Sequence, residues 1–525
     1  MPTSINANNN LKKEIQFKVI SSSKIPASSP KSVECWVLPQ TPLLPSLKWL
    51  GDSSRWTPEA LEQLKDKWPT SRDFKGPKCF DVNFSNGASS RFFMFSPTLD
   101  TYSLQTELRK AFIGFFQDDA SLVIRLRIDK MDRTNQARLT HAFSVLALTA
   151  PWEPINYQTK NMGQKTNPPI VTVEICSQIV TSELNTIINR AKAFSYANNQ
   201  VRSLADMPAN ELHPKNYRKK IEAICATIGI EFEFLDFKKL TELGAGAFTA
   251  VNRADSTNGS GIAHLVYKPK KTQKQGLRKL ALVGKGLCFD TGGYNIKSRD
   301  GMLGMHRDMT GSAIALSLIE ALATLKVDFE VHAWLAIAEN LISATAYRPN
   351  EVVRACDGTS IEVVDTDAEG RMVLADTLAL VRRSQPDLVI DFATLTYTAM
   401  RALDTRRSAI FSNRDKLADL AVRVGDQVGE RTWSFPLSGD YREELKSKIA
   451  DLLQCSASNH ADHIYAASFL AHFIGEETPW VHVDLSAAEN KGGLGIIGTD
   501  TTGFGVFWAA EFIERARKSG INRGA

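Results

Sequence analysis

The sequence predicts an α/β protein with a smaller N-terminal α/β domain, a long helix, and a larger C-terminal domain whose mostly parallel sheet is covered by helices. Three observations predict this arrangement. Short strand patterns and one helix occupy the first 180 residues, a long amphipathic pattern follows, and apolar strands then alternate with helices. The chain has 525 residues and a hydrophobic fraction of 43%, which is enough for a sizeable core in more than one domain.

The N-terminal domain is predicted over residues 1–180. Ile15, Phe17 and Val19 alternate with polar neighbours, as the residues of a half-buried strand do. Further strands are predicted at 79–84, 122–128 and 170–175, and a helix is predicted at 136–148.

A connecting helix is predicted over residues 181–206, because apolar positions recur there every three or four residues. The second domain follows over residues 207–525. Its predicted strands are 231–237, 262–267, 280–289, 329–338, 388–395 and 480–485, and its predicted helices are 312–325, 372–383 and 466–474. Strands that alternate with helices indicate a mostly parallel sheet, whose ligands bind beyond the carboxyl ends of the strands.

The charge balance indicates no particular partner. Lys and Arg number 63 against 58 Asp and Glu, so the formal net charge is only +5. The basic run from Lys268 to Lys279 is the nearest approach to a nucleic-acid-binding stripe, although such a run is more often a solvated loop. The seven cysteines are scattered, the first thirty residues contain no apolar stretch of signal-peptide length, and no later segment approaches about 18 consecutive apolar residues. We therefore expect a cytoplasmic protein with no membrane partner.

Charged residues at the end of the predicted strand 280–289 are hard to explain as part of a core. Lys285 lies inside the apolar run, and Asp290, Gly292, Gly293 and Lys297 follow it. A lysine in such a strand needs a partner, and two adjacent glycines let the backbone turn sharply beside a ligand. Taken alone, the pattern is also explained by a buried Lys–Asp pair that braces a turn.

A second acidic cluster precedes the predicted helix 372–383. Asp365, Asp367 and Glu369 occupy alternate positions there, and Asp308 precedes another helix. Alternate side chains of an extended segment point the same way, and crowded carboxylates favour a divalent cation, which prefers oxygen ligands. The alternative for each acid is a position at a helix N-terminus, where it caps the helix or interacts with its dipole.

Histidine sites and nucleophile motifs have little support in the sequence. His306 has no second histidine at ligand spacing, and His460 and His463 lack the glutamate of a His-Glu-x-x-His zinc site. Neither a Gly-x-Ser-x-Gly elbow nor a phosphate-binding loop occurs. The chemistry is therefore expected to reside in the carboxylates and lysines.

These residues resemble the cytosolic leucyl aminopeptidase family. The order and spacing of that family are matched by Gly284-Lys285-Gly286, Asp290-Thr291-Gly292-Gly293, Lys297, Asp308 and Thr366-Asp367-Ala368-Glu369-Gly370-Arg371. Further similar segments, such as Pro208 to Leu212 and Thr502 to Gly505, extend the resemblance over about residues 200 to 515. A six-residue signature that ends in Glu-Gly-Arg is highly specific when it belongs to such a collinear set.

The resemblance implies a metal-dependent aminopeptidase that releases N-terminal amino acids from peptides with a free N-terminus. It implies that Asp290 and Glu369 bridge two divalent ions. Lys285 and Asp308 would complete one ion's site, and Asp367 would complete the other. Zinc, manganese or magnesium would be expected.

The resemblance also assigns roles beyond the metal ligands. Lys297 would stabilise the developing oxyanion, and Arg371 would hold a bicarbonate ion that relays a proton. A homohexamer would be expected, in which the domain 207–525 carries catalysis and the domain 1–180 serves assembly.

Three positions depart from the family's pattern close to this chemistry. They are Asp365 where an asparagine is usual, Thr310 where a smaller residue is usual, and Tyr397 where a glycine is usual. Tyr397 follows Thr394-Leu395-Thr396, whose counterparts in the family line the pocket for the first substrate residue. We therefore expect Tyr397 to narrow that pocket and to change the preferred first residue.

Two other kinds of function remain as alternatives. A two-metal phosphoesterase would use similar carboxylates, but such sites usually include histidines, which this cluster lacks. A structural hexamer or a DNA-binding regulator is the second alternative, since some bacterial relatives in the family bind DNA. An inactive protein should have lost a metal ligand, whereas all five are present here, and a DNA-binding groove would be visible only in an assembled oligomer.

Overall fold

The computed structural model describes most of the chain, namely residues 11, 13–21, 32–40, 56–69, 77–83, 89–117, 121–158, 169–255, 259–271, 276–458 and 460–519. The polar start of the chain, Phe84 at the end of a predicted strand, and Lys274 of the basic run lie outside these described residues. The described residues divide into two compact units, one of residues 11–195 with 494–498 and one of residues 196–493 with 499–519.

The smaller unit contains a largely parallel sheet. Its strands are β1 (Glu14–Ser21), β2 (Ser32–Pro39), β3 (Lys78–Asn83), β4 (Ser89–Phe95), β5 (Leu122–Arg127) and β6 (Ile170–Ser177). Its helices are α1 (Pro58–Lys67), α2 (Thr101–Phe112), α3 (Gly114–Gln117) and α4 (Arg133–Thr149). The strand order is β1-β6-β5-β2-β4-β3, and among the described strands only β3 pairs antiparallel with its neighbour.

Helix α5 (Thr181–Ala205) occupies the segment that was predicted to connect two domains. The boundary between the two compact units falls inside this helix, after Ser195. Leu184, Ile188 and Ala191 are buried, so the spacing of three and four residues marks a buried face of the helix. No helix among the described residues is long and apolar enough to cross a membrane.

The larger unit alternates strands and helices. Its strands are β7 (Glu231–Asp236), β8 (Gly261–Tyr267), β9 (Lys279–Asp290), β10 (Glu330–Asn340), β11 (Val352–Arg354), β12 (Ser360–Glu362), β13 (Leu388–Ala393), β14 (Ser408–Ser412), β15 (Thr432–Ser434), β16 (Leu452–Leu453) and β17 (Trp480–Asp484). Its helices are α6 (Pro214–Ile228), α7 (Phe237–Glu242), α8 (Gly246–Asn252), α9 (Arg299–Met302), α10 (Thr310–Thr324), α11 (Glu369–Arg383), α12 (Tyr397–Leu403), α13 (Asp415–Val428), α14 (Gly439–Glu443), α15 (Asp462–Ile474) and α16 (Val506–Ser519).

The eight-stranded sheet of this unit is parallel at its centre and mixed at its edges. The strand order is β15-β14-β17-β13-β9-β10-β8-β7. The central strands β17, β13, β9 and β10 are parallel, whereas β14 runs antiparallel to β17, and β8 runs antiparallel to both β10 and β7. The prediction of a mostly parallel sheet is therefore confirmed, and the antiparallel pairs among its described strands involve only β14 with β17 and β8 with its two neighbours. Apolar periodicity identifies a strand, but its direction depends on the neighbour with which it pairs.

Both faces of the central strands are covered by helices. Helices α8, α11 and α15 share a hydrophobic cluster with one face of β9, β10 and β13. Helix α10 packs on the other face, where a Cβ atom on Gly284 would lie 2.4 Å from the Cα atom of Ser312. Glycine at position 284 therefore lets the start of α10 lie directly against β9. Glycine at position 370 is likewise close to β9, since a Cβ atom there would lie 2.6 Å from Lys285 Cε, so β9 lies against the first turns of both α10 and α11.

Every strand and helix predicted for this unit is present, with boundaries that agree to within about one helical turn. The boundary difference that matters most for the candidate site is at α11, which begins at Glu369 instead of Met372. Glu369 is therefore part of the helix and not of the segment before it.

Asp376 ties α11 to its surroundings, and its removal should destabilise the fold. Its buried carboxylate accepts hydrogen bonds from the backbone N–H groups of Phe248 and Cys356, both at 2.7 Å. We expect Asp376→Ala to lower the free energy of unfolding by roughly 2–5 kcal/mol, because two buried donors lose their acceptor. Asp376→Asn, which retains one acceptor oxygen, should have a smaller effect. Thermal or urea unfolding of the purified variants measures this difference.

The exposed Asp419→Ala variant is the matched control, and it should change the unfolding free energy by less than about 0.5 kcal/mol. Equal stabilities of the Asp376→Ala and Asp419→Ala variants would contradict this role of Asp376.

Candidate metal centre and active site

The sequence-predicted site residues come together at the carboxyl edge of the central strands. Lys285 lies within β9 and Asp290 is its last residue. Asp308 directly follows a short 3-10 turn, Met305–Arg307, and precedes α10. Glu369 is the first residue of α11, with Asp367 two positions earlier. Segments that are distant in sequence therefore meet where ligands of parallel sheets usually bind.

Two lysines pair with four carboxylates in this site. The Lys285 Nζ atom lies 2.9 Å from Asp308 Oδ2 and 3.0 Å from Glu369 Oε1. The Lys297 Nζ atom lies 2.8 Å from Asp290 Oδ2 and 2.5 Å from Asp367 Oδ1. These pairs account for the lysine inside β9, and they involve both of the loop clusters that the sequence singled out.

Three of the carboxylates converge closely enough to share an ion. Oxygen atoms of Asp290, Asp367 and Glu369 all lie within 4.8 Å of one another. Glu369 is 1% exposed, and its Oε2 atom has no hydrogen-bond partner among the described residues. A buried carboxylate oxygen without a partner is costly, and divalent cations prefer oxygen ligands, so these residues fit a divalent metal site.

The electrostatics of the site agree with this interpretation. Burial and the nearby Asp290 charge raise the pKa of Glu369 to about 8, although Lys285 acts in the opposite direction. Burial and Asp290 likewise raise the pKa of Asp367 to about 6, against the effect of Lys297. Carboxyl groups that resist ionisation in this way are stabilised as anions when a cation lies among them.

The two lysines are held as ammonium groups by the same carboxylates. Burial lowers the pKa of Lys285, but the charges of Asp308, Glu369 and Asp290 outweigh this effect and leave the pKa above its ordinary value. The same balance raises the pKa of Lys297, where Asp290 is the largest opposing contribution.

Neighbouring groups fix the orientation of the ligand oxygens. The Asn340 side-chain amide and the Gly292 backbone N–H donate to Asp290 Oδ1 at 2.8 and 2.9 Å. The Thr394 hydroxyl donates to Asp308 Oδ1 at 2.6 Å, and the Thr394 carbonyl accepts a 3.0 Å hydrogen bond from Lys285. Asp290 and Asp308 therefore each have one oxygen engaged by neighbouring groups and the other turned towards a lysine.

Thr366 joins the two loop clusters to each other. Its hydroxyl donates to the Gly292 carbonyl at 2.6 Å and accepts from the Asn295 backbone N–H at 2.8 Å. Gly292 and Gly293 have positive φ values of 84° and 65°, which is the sharp turn that two adjacent glycines predict. The turn after β9 is thereby fastened to the segment that carries Asp367.

Neither Asp308 nor Glu369 caps a helix, but Glu369 lies in the first turn of α11, where the helix dipole favours its negative charge. The residue that precedes α10 is Met309 and the residue that precedes α11 is Ala368, and neither side chain caps its helix. The segment before α11 is also a turn rather than an extended strand. Asp365 accepts the backbone N–H of Asp367 at 2.8 Å, so it shapes this turn instead of joining the cluster.

Arg371 lies apart from the four carboxylates, against a different set of partners. It is 2% exposed, and its NH2 atom donates to both oxygens of Asp462, at 2.7 and 2.8 Å. Its NH1 atom lies 3.4 Å from the Gln454 carbonyl oxygen. The sequence reasoning missed Asp462 and Gln454, because nothing in their spacing relates them to α11.

Asp484 is a further residue that the sequence reasoning missed. It ends β17 and accepts hydrogen bonds from the backbone N–H groups of Leu395 and Thr396 and from the Thr396 hydroxyl, at 3.0, 3.3 and 2.6 Å. The same segment contains Thr394, which contacts Lys285 and Asp308. A buried acid at the end of an apolar strand was the sequence feature that could have identified it.

The remaining positions of interest surround the site without joining the carboxylates. Tyr397 is 62% exposed at the start of α12, with the guanidinium carbon of Arg401 4.7 Å from its ring centroid. Thr310 is buried and donates to the Arg307 carbonyl at 2.6 Å. His463 pairs with Thr398 at 3.1 Å, and no histidine belongs to the one metal-capable cluster found among the described residues.

Comparison with known proteins identifies relatives along most of the chain. Residues 199–508 match the family described as "Cytosol aminopeptidase family, catalytic domain". A probable cytosol aminopeptidase of Aquifex aeolicus (strain VF5) is 34% identical over 405 residues, which cover 75% of this chain and 80% of the relative. A second probable cytosol aminopeptidase, from Solibacter usitatus (strain Ellin6076), is 38% identical over 349 residues, which cover 66% of this chain and 70% of the relative.

Solved structures give the same result. The bottromycin maturation enzyme BotP in complex with Mn has a TM-score of 0.76 and 26% identity, covering 94% of this chain and 100% of BotP. The cytosol aminopeptidase from Coxiella burnetii has a TM-score of 0.73 and 27% identity, covering 95% of this chain and 99% of that enzyme. The chain therefore belongs to the cytosol aminopeptidase family and is a hydrolase that acts on peptides.

Proposed function

We propose that this protein is a metal-dependent aminopeptidase that releases N-terminal amino acids from peptides with a free N-terminus. The observation that carries the proposal is the cluster of Asp290, Asp367 and Glu369, whose oxygens lie within 4.8 Å of one another. Membership of the cytosol aminopeptidase family supports the reaction type. The unpartnered, buried Oε2 atom of Glu369 supports the presence of a cation.

Five residues are proposed to hold two divalent ions. Asp290, Asp308, Asp367 and Glu369 would hold the ions through their carboxylate oxygens. Lys285, which is an ammonium group when no metal is bound, would join them as a neutral amine after losing its proton, because nearby cations lower the pKa of a lysine. Zinc, manganese and magnesium all suit oxygen-rich sites of this kind, and the similar enzyme BotP is described in complex with Mn. Bound there, the ions would supply Lewis-acid polarisation of the scissile carbonyl and a water of lowered pKa.

Lys297 is proposed to stabilise the negative charge that develops on the scissile carbonyl oxygen. Asp290 and Asp367 hold its ammonium group at 2.8 and 2.5 Å, so its position is fixed before the reaction. A fixed cation in a buried site needs little reorganisation and acts through a low effective dielectric. The neighbouring carboxylates keep its pKa raised, so the side chain remains charged.

Bicarbonate at Arg371 does not fit the residues that surround this side chain. The NH2 atom already donates to both oxygens of Asp462, and NH1 faces a carbonyl oxygen. Of the three guanidinium nitrogens, only Nε has no partner among the residues described. Both edges of a guanidinium that can give an oxyanion two parallel hydrogen bonds include the NH2 atom, which Asp462 already occupies, so no step of the mechanism uses bicarbonate.

The assembly and the location of the protein are also proposals. Resemblance to the family supports a homohexamer, with residues 1–180 serving assembly, residues 181–206 as connector and residues 207–525 carrying catalysis. The family's description as cytosolic supports a cytoplasmic location. A DNA-binding role gains no support from the basic run, because Lys268 pairs with Glu231 at 2.9 Å and Lys279 donates to the Ser384 carbonyl.

Metal removal should abolish the activity. We expect dialysis against a chelator to abolish nearly all hydrolysis of aminoacyl chromogenic substrates, and added manganese or zinc to restore it. The reason is that the proposed reaction depends on metal ions to polarise the carbonyl and to lower the pKa of the attacking water. A panel that varies the aminoacyl group, with N-acetylated versions as controls, measures both activity and the need for a free amine. Hydrolysis that ignores chelation, or that accepts blocked substrates equally well, would contradict the proposal.

Replacement of Lys297 should slow the reaction while metal remains bound. We expect Lys297→Met to lower kcat by roughly 100- to 1,000-fold, as loss of one oxyanion donor does. Metal content measured by mass spectrometry should stay unchanged, and the exposed Lys268→Met variant is the matched control. Normal kcat with full metal content would exclude the oxyanion role, and loss of metal would indicate that Lys297 only neutralises the ligands.

Tyr397 should influence which first residue is preferred. We expect Tyr397→Gly to raise kcat/KM for bulky first residues relative to alanine by roughly tenfold, because removal of the ring widens the pocket. Trp433→Gly, which removes another exposed aromatic ring, should leave the preference unchanged. An unaltered preference in the Tyr397→Gly variant would refute the role of this residue.

A further inference from the structure

Arg371 is buried beside a carboxylate that belongs to the chain itself. The Asp462 oxygens lie 2.7 and 2.8 Å from its NH2 atom, and the Asp462 side chain is 25% exposed whereas that of Arg371 is 2% exposed. The charge of Asp462 is the largest of the contributions that keep the pKa of Arg371 above its ordinary value, against the effect of burial. A buried guanidinium needs such a counter-ion, because an unpaired buried charge is strongly unfavourable.

The position of Asp462 follows from the packing of two helices. Asp462 is the first residue of α15, and α15 packs against α11, which carries Arg371 as its third residue. The carboxylate therefore lies at a helix N-terminus, where the helix dipole favours negative charge. The residue before it, Ala461, provides no side-chain cap. The dipole and the guanidinium together hold this carboxylate in place.

The orientation of Arg371 is also linked to the acidic loop. Its NH1 atom faces the carbonyl oxygen of Gln454. The Gln454 side chain donates to the Ala368 carbonyl and accepts from the backbone N–H groups of Val364 and Asp365, each at 3.0 Å. The guanidinium is thus fixed relative to the segment that carries Asp367 and Glu369.

We propose that Asp462 is a built-in carboxylate that occupies the anion site of Arg371, so that the enzyme needs no dissolved bicarbonate. Bicarbonate and a carboxylate present the same planar pair of charged oxygens to arginine. Asp462 belongs to the chain and therefore competes with a dissolved anion at an effective concentration on the order of millimolar or more. Asp462 is a positioning residue, since it acts through Arg371. This inference rests on the proposed function, because Arg371 shares the first turn of α11 with the ligand Glu369.

The test is the response of the enzyme to small anions. Peptidase activity of the metal-loaded enzyme is measured in bicarbonate-free buffer and after addition of bicarbonate or formate. We expect the wild-type rate to be unaffected by either anion. Asp462→Ala should lose activity by up to about 100-fold, as loss of positioning does, and both anions should restore much of it by taking the vacated place on Arg371.

The matched control is Asp415→Ala, which removes an acid from the first turn of α13 without contact to Arg371. It should be active and insensitive to both anions. A wild-type rate that rises with bicarbonate would overturn the proposal, because Arg371 would then be open to a dissolved anion. An Asp462→Ala variant that keeps full activity, or that loses activity without rescue, would overturn it as well, since Asp462 would then be dispensable or merely structural.

A second measurement separates this inference from the proposed function. The unfolding temperature of metal-free protein is measured with bicarbonate, formate and, as a control for ionic strength, chloride. We expect bicarbonate and formate to raise the unfolding temperature of Asp462→Ala but not that of the wild type. This result would support the anion site even if no peptidase activity were found. If Asp462→Ala does not fold, Asp462→Asn takes its place in both measurements, and absence of any anion response in both assays overturns the proposal.

Discussion

Two ammonium groups among four carboxylates, at the carboxyl end of β9, are the interaction on which the rest of the larger unit depends; Lys285 is buried and Lys297 is partly exposed. Lys285 and Lys297 each contact two of the four carboxylates directly. Charges taken out of water are tolerated only when opposite charges and hydrogen bonds surround them. The close approach of α10 at Gly284, the turn at Gly292, and the hydrogen bonds from Asn340 and Thr394 all serve this requirement.

The same arrangement leaves negative charge in excess, and this excess is the physical basis for metal binding. Four ionised carboxylates and two ammonium groups do not balance. Burial, together with the charge of Asp290, raises the pKa of Glu369 to about 8 and that of Asp367 to about 6. A proton or a cation can relieve the charge imbalance, and carboxylate oxygens are ligands that hard divalent cations prefer. The lysines and a bound metal ion would therefore neutralise the same four carboxylates.

Arg371 illustrates how the chain can satisfy a buried charge by itself. Its counter-ion is Asp462 from a neighbouring helix, and the Gln454 backbone and side chain fix both Arg371 and the acidic loop. Family resemblance implies that Arg371 holds bicarbonate, whereas the structure places the Asp462 carboxylate on its guanidinium. Packing of α15 against α11 brings Asp462 to the guanidinium, and this packing therefore decides which anion Arg371 meets.

The sequence by itself determined the fold class of the larger unit and its main strands and helices. It also identified seven candidate site residues, of which all but Arg371 converge in the structure. Apolar periodicity is local, and a charged residue inside an apolar run, such as Lys285, is visible without any structure. Only the tertiary structure decided the direction of β8 and β14, the start of α11 at Glu369, and the pairing of Arg371 with Asp462. The same is true of Asp484, which supports the segment beside Lys285. These features depend on contacts between residues far apart in the chain, and no local pattern encodes which distant strand or helix will supply the partner.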